Sequence, residues 1–288
     1  VSALKQLHRP RTPEEAARLL ARGDGVRCLA GGASLVAMMN LELVDPDELV
    51  SLAEVAELRG IAALPDGGLR IGAMTRHCEL ETETRLAGPL AVLREAAGKV
   101  ANPPVRNMGT IGGAVALADP AADYPPALVA VGAAIEIASD RGRRRVPARE
   151  FFRGLYETAL APAEIVTAIL VPPAGAGVGL YDKLARVAGD HAIVSVALAA
   201  TQAPKAGLSV GLAIGGCAAT PVHREEADAL LAESALSDAA ARRAGELLAA
   251  AADPVDDVRA SADYRRRAIP RMVTRAVARA RDELARGR

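Results

Sequence analysis

Apolar positions along the chain switch between helical spacing and short strand-like runs, and the order of the switches outlines the fold. Thr12-Pro-Glu-Glu-Ala-Ala-Arg-Leu-Leu sets a cap residue, a proline and two acids ahead of apolar positions, the order of a helix start. Val26 to Leu29 follows as a short strand, and Ser34 opens a short helical stretch through Val36, Met38 and Met39. Asp47 to Ser51 and Leu69 to Ala73 read as further strands, separated by the turn Pro65-Asp-Gly-Gly68. Pro89 to Gly98 carries a helical pattern, and Asn102-Pro-Pro104 reads as a break in the chain. Ala134 to Ala138, Arg144 to Val146 and Ile165 to Val171 form a second group of strands. Pro172-Pro-Ala-Gly-Ala-Gly-Val-Gly179 is the clearest linker, and beyond it lie strands near Gly179 to Leu184, Ile193 to Ala200 and Leu208 to Ile214. Helices close the chain over Glu225 to Ala232, Asp238 to Ala252 and Arg265 to Leu284. Strands followed by a run of helices predict an α+β module at this end rather than βαβ alternation.

Composition narrows the chemistry. With 288 residues there is room for two domains, and 35 basic residues balance 35 acidic ones, which removes a global electrostatic case for nucleic acid or membrane binding. Aromatic residues make up 2% of the chain and tryptophan is absent, so base-stacking platforms are excluded. The basic runs Arg141 to Arg145 and Arg265 to Arg267 read as a solvated hairpin tip and a solvated helix face. Cys28, Cys78 and Cys217 match no zinc or iron–sulfur spacing, so neither a metal nor a disulfide is expected. His8, His77 and His223 lack metal spacing and read as structural, and Met38 and Met39 as core filling. No apolar run reaches membrane-spanning length, and the N-terminus shows no basic region followed by an apolar core. A cytoplasmic location fits, with contact to the inner face of the membrane only through an electron acceptor.

Two double-glycine segments carry the functional signal: Leu29-Ala-Gly-Gly-Ala-Ser-Leu35 and Gly109-Thr-Ile-Gly-Gly113, the second leading into Asp119-Pro-Ala-Ala-Asp-Tyr-Pro125. Glycine reaches backbone angles closed to other residues, so successive N–H groups can turn inward and form a donor site for an anion such as a pyrophosphate. Ser34 and Thr110 add hydroxyls, the helix start at Ser34 adds partial positive charge, and Asp119 or Asp123 could accept from sugar hydroxyls. The same residues also fit ordinary tight turns. Neither a G-x-G-x-x-G fingerprint nor a P-loop occurs in the chain, which argues against a Rossmann or P-loop nucleotide site.

Taken together, Ala30 to Leu35, Thr110 to Gly113, Asp119-Pro-x-x-Asp-x-Pro and Tyr181-x-Lys-Leu-x-Arg186-x-x-x-Asp190 resemble the flavin-binding medium subunit of the molybdenum hydroxylases. That family includes the medium subunit of aerobic carbon monoxide dehydrogenase and the FAD domain of xanthine dehydrogenase. His8-Arg-Pro10 and Gly215-Gly-Cys-Ala-Ala-Thr-Pro221 extend the likeness over essentially the whole chain. The resemblance implies a two-part N-terminal FAD-binding domain of the vanillyl-alcohol oxidase type over 1–175, with parts at about 1–57 and 58–175. A C-terminal α+β domain with a small antiparallel sheet and helices would occupy 176–288.

Carried over by position, Ala30, Gly31, Gly32, Ala33, Ser34 and Leu35, with Thr110, Ile111, Gly112, Gly113 and Ala114, would wrap a non-covalent FAD. Asp123 would bind cofactor hydroxyls, Ile165 and Val166 would lie near the adenine, and Lys183, Asp190 and His191 would sit beside the isoalloxazine. Three departures stand out: Ala33 replaces a polar residue, Ala114 and Leu117 replace asparagines, and His191 stands where the carbon monoxide dehydrogenase pattern has tyrosine. Read by residue type alone, Lys183 is equally an exposed strand lysine and His191 a residue without catalytic duty.

The activity implied is electron relay. Electrons released at a molybdenum cofactor in a large partner subunit would pass through [2Fe-2S] clusters in a small partner subunit to this FAD and on to an external acceptor. Quinone or dioxygen is preferred as acceptor, NAD being left open, and the whole would be a dimer of heterotrimers that binds no nucleic acid. A stand-alone flavin-dependent oxidase or reductase, and a paralogue that has lost FAD, remain as alternatives.

Overall fold

The computed structural model describes residues 6–203 and 207–286; the first five residues, part of the segment on which the N-terminal expectation rests, lie outside them. The chain opens with a parallel sheet in the order β1-β3-β2, made of β1 (Gln6–His8), β2 (Val26–Leu29) and β3 (Glu48–Ser51). Parallel strands need crossovers. These are α1 (Pro13–Leu20), where the Thr12 side chain accepts from the Glu15 N–H, and the short α2 (Leu35–Asn40). Ala16, Val26, Val50, Leu52, Val55 and Leu58 pack beneath this sheet with Ala138 and Ile165 from its neighbour.

The second part begins with β4 (Ile61–Ala63) and β5 (Leu69–Gly72). Five helices follow: α3 (His77–Glu81), α4 (Ala91–Lys99), α5 (Pro103–Met108), α6 (Ile111–Leu117) and α7 (Tyr124–Ala130). The chain then runs through β6 (Ala134–Ser139), β7 (Gly142–Pro147), α8 (Ala148–Phe151), the small hairpin β8 (Phe152–Gly154) and β9 (Glu157–Thr158), and β10 (Ile165–Val171). The sheet is antiparallel in the order β4-β5-β10-β6-β7. Its central strand β10 is buried along its whole length, which explains an apolar run interrupted only by Thr167. The Thr167 hydroxyl donates to Glu136.

Two proline-led stretches fold differently from what their sequence predicts. Asn102-Pro-Pro104 starts a helix instead of ending one: Asn102 accepts from the Val105 N–H, and both prolines sit in the first turn, where no N–H is needed. The same logic produces α7, which the sequence reading left without an element, since Pro125 and Pro126 lie in its first turn.

The third part is an antiparallel sheet of β11 (Gly177–Leu184), β12 (Val194–Ala203), β13 (Gly207–Gly215) and β14 (Val222–His223). The helices α9 (Glu225–Glu233), α10 (Asp238–Ala251) and α11 (Ala262–Arg286) cover one face. Strand alternation sends Val178, Leu180, Val196, Leu198 and Leu212 to that face and Tyr181, Ala197, Ala199 and Ala213 to the other. The second face joins the core of the preceding part through small residues. A Cβ on Gly179 would lie 2.1 Å from the Pro89 carbonyl oxygen, and one on Gly211 2.0 Å from that of Ala130.

Arg265 does not belong to a solvated helix face. It is 3% exposed and donates to the carbonyls of Ile193 (2.6 Å) and Gly216 (2.8 Å) and to Asp257 (2.6 Å). Arg266 and Arg267 are exposed, as expected. Replacing Arg265 by alanine leaves buried carbonyls unpartnered and is expected to cost about 3 kcal/mol in urea unfolding, whereas Arg267→Ala should stay within ~0.5 kcal/mol.

Candidate functional site

A cavity of about 640 Å³, within the ~300–1,000 Å³ range of small-molecule sites, opens where the first sheet, α5, α6 and the loop after β11 meet. Residues 30–35, Thr110, 112–114, Asp123, Ile165, Val166, Asp190 and His191 line it. Of the expected site residues, Ile111 and Lys183 do not: Ile111 is fully buried in the core, and Lys183 stands behind Asp123.

The two glycine pairs do different work. In the first, Gly32 holds φ +79°, a conformation that side chains disfavour, and a Cβ on Gly31 would lie 1.9 Å from the Met108 carbonyl oxygen. Glycine therefore lets this loop press against the end of α5. No acceptor within the described residues takes the N–H groups of Gly31 to Ser34, so four donors are unspent beside the cavity. Ser34 precedes α2 without a side-chain capping bond, leaving its hydroxyl free as well.

The second pair is not a donor loop but the start of α6. The Ile111 N–H donates to Thr75 (3.0 Å), that of Gly112 to Ala73 (2.8 Å), and that of Gly113 to the Thr110 hydroxyl (3.2 Å). Gly112 is required for packing, because a Cβ there would come within 2.5 Å of the Ala73 Cβ. Only Thr110 keeps a proton to donate, since its oxygen acts as acceptor toward Gly113. Met38 is likewise not core filling: no residue of α2 is buried, and Met38 forms part of the cavity wall.

One wall residue, Asp123, belongs to a buried ion pair. Lys183 Nζ is 2.9 Å from Asp123 Oδ1, with side-chain exposures of 4% and 8%. Tyr181 donates to the same carboxylate at 2.7 Å, and Lys183 also donates to the Lys99 carbonyl at 2.7 Å. Burial pushes the Asp123 carboxyl up, against the pull of Lys183 and of the Tyr181 hydroxyl. Lys183 is therefore neither an exposed strand lysine nor a lining residue. Tyr181 was not among the expected site residues, although its position two before Lys183 puts both side chains on one strand face.

His77 and Tyr124 form a second buried pair in the wall, with Nδ1 3.0 Å from the phenol oxygen. Burial, assisted by the Arg106 charge, lowers the His77 pKa to about 4. His8 and His223 pair with Glu48 and Asp228. At the mouth, the Asp190 carboxylate accepts from the His191 N–H (2.7 Å) and pairs with Arg259 (3.3 Å). The N–H bond and the Arg259 charge hold the Asp190 pKa down. His191 Nδ1 lies 4.0 Å from Asp119, which also accepts from Tyr156. Ala33, Ala114 and Leu117 make their stretches of wall apolar, and Cys28 adds a half-buried thiol that burial pushes up to about 12.

An open-mouthed cavity with largely apolar walls and one row of free backbone donors has the character of a cofactor site. Among the described residues no cluster of His, Cys, Asp and Glu could hold a metal ion. Residues 3–174 match the family described as the FAD binding domain in molybdopterin dehydrogenase, and residues 179–280 match the CO dehydrogenase flavoprotein C-terminal domain. The chain belongs to this family of FAD-binding subunits of molybdopterin dehydrogenases. It is similar to the carbon monoxide dehydrogenase medium chain of Afipia carboxidovorans, 38% identical over 95% of this chain and 96% of that one. Its fold is similar to that of one chain of the reconstituted CO dehydrogenase from Oligotropha carboxidovorans, with a TM-score of 0.91 at 36% identity over 98% of this chain and 99% of that chain. Quinoline 2-oxidoreductase from Pseudomonas putida 86 also superposes, with a TM-score of 0.88 at 30% identity and 97% coverage of both chains. The family, FAD as cofactor, and an oxidoreductase component agree with what the motifs implied. No helix among the described residues is long and apolar enough to cross a membrane.

The His77 pair gives the site a pH signature. A folded pKa of about 4 against 6.5 in the unfolded chain means the fold favours the neutral ring, so this stabilisation is complete above pH 6.5 and is lost as pH falls toward 4. Unfolding free energy should drop by about 3 kcal/mol across that window from this group, and the difference between wild-type and His77→Gln curves in urea titrations should show it.

Proposed function

We propose that the chain is the FAD-carrying electron-transfer subunit of a heterotrimeric molybdenum hydroxylase. It takes electrons from [2Fe-2S] clusters of a small partner subunit and passes them to an external acceptor. The observation that carries this reading is the row of unspent N–H groups from Gly31 to Ser34 opening on the cavity. When bound, FAD supplies reversible redox chemistry. The donors of the first glycine loop, the Ser34 hydroxyl and the Thr110 hydroxyl hold its diphosphate. Ile165 and Val166 offer an apolar wall to the adenine, while Asp190 and His191 border the isoalloxazine. The Asp123 carboxylate has room for about four hydrogen bonds, so beyond Tyr181 and Lys183 it retains capacity for a cofactor hydroxyl. Lys183 positions this carboxylate from behind.

The large partner subunit holds the molybdenum cofactor and carries the hydroxylation. A cysteine content of three, widely spaced, supports placing the iron–sulfur clusters on the small partner. A dimer of such heterotrimers follows by analogy. No G-x-G-x-x-G nicotinamide loop occurs, which favours quinone or dioxygen over NAD as acceptor.

The purified chain should bind FAD in about one-to-one ratio, and trichloroacetic acid should release all of it, since no covalent tether is proposed. Gly32→Val should abolish binding while circular dichroism and thermal unfolding retain the fold. Equal loss of fold and flavin would show the turn to be structural only. The chain alone should hydroxylate nothing with an added acceptor, and activity should appear only with the large and small partners. Hydroxylation by the single chain would overturn the subunit reading.

A further inference from the structure

The carboxylates around the cavity are matched, and its one cation is not. Asp119, Asp123, Glu164 and Asp190 border it, and each has its own donor or cation: Tyr156, Lys183, Arg144 and Arg259 respectively. Arg27 is the one lysine or arginine among the described lining residues, and no carboxylate within the described residues pairs with it. Its guanidinium has only a long contact, 3.4 Å, to the Val26 carbonyl oxygen. Arg27 borders the cavity together with residues 30–35 of the glycine loop that follows its strand. An unmatched, permanently charged fork and four free N–H groups, four residues apart on one chain segment, thus open on the same cavity.

Resting on the FAD reading above, we propose that Arg27 is the counter-charge for the phosphates of the bound dinucleotide. The N–H groups of Gly31 to Ser34 supply short-range geometry, and Arg27 supplies the net positive charge that the neutral backbone donors lack. Arg27 is exposed, so it shifts affinity and salt dependence without being needed for the fold.

The test is fluorescence titration of the apo full chain with FAD from 0.02 to 0.5 M salt, for wild type, Arg27→Gln and Arg27→Lys. Arg27→Gln is expected to weaken FAD about tenfold at low salt and to flatten the dependence of affinity on salt. Arg27→Lys is expected to restore most of the salt dependence, because it keeps the charge but not the fork. Unchanged affinity in Arg27→Gln overturns the proposal, and so does a loss whose salt dependence matches wild type, which would mark a packing role. Thermal unfolding of the apo variants should match wild type. If wild-type chain binds no FAD, the FAD reading itself falls with the inference; if wild type binds and Arg27→Gln is indifferent, the inference falls alone.

Discussion

The contact between Asp123 and Lys183 is the constraint on which the site depends. One partner opens α7 in the helical layer, and the other lies on β11 of the C-terminal sheet. Withdrawing two charges from water is costly, and it is tolerated here because Tyr181 and the Lys99 carbonyl take up the remaining hydrogen-bonding capacity. Replacing both by apolar residues would keep the packing but lose the directionality. With the pair in place, β11 has a fixed register against α4 and α7, and the loop that follows it, bearing Asp190 and His191, is delivered to the cavity mouth. The mouth is thus tied to a charge pair of which only Asp123 reaches the wall.

The glycine segments show how one residue type serves two ends. Both were read as anion cradles, because a double glycine in sequence looks the same whether its N–H groups face a guest or are spent on neighbouring strands. The difference arises beside the isolated antiparallel bridge of Arg76 with Thr110, where the second segment runs along residues 73–76 that follow β5 and spends the donors of Ile111 and Gly112 on Thr75 and Ala73. The first segment leaves β2 and presses against the end of α5, where the Met108 carbonyl accepts from none of its N–H groups.

Most strands were legible because burial on one or both faces leaves a direct trace in residue type: β10 as an apolar run interrupted only by Thr167, β12 and β13 as alternating large and small residues. The proline-led helices α5 and α7 were not, since a proline pair reads as a breaker unless its place in the first turn is known. Arg265 was misread because its charge suggests solvent, and only the fold brings the carbonyls of Ile193 and Gly216 around it. Within the site, the glycines and Asp123 were visible as motif positions. His77 with Tyr124, and Arg27, were not, because they are recognised by which neighbours they have or lack, 47 residues separating the first pair.

The thiol of Cys28 bears on durability. It stands in the wall of a cavity that belongs to a family of flavin carriers, where reduced cofactor and dioxygen would generate peroxide close by. Peroxide is attacked by thiolates and hardly at all by thiols, and burial keeps Cys28 protonated with a pKa of about 12. Cys217, deep in the C-terminal core, is held at about 12 in the same way. The sulfur beside the cavity therefore behaves as one more apolar atom of its wall.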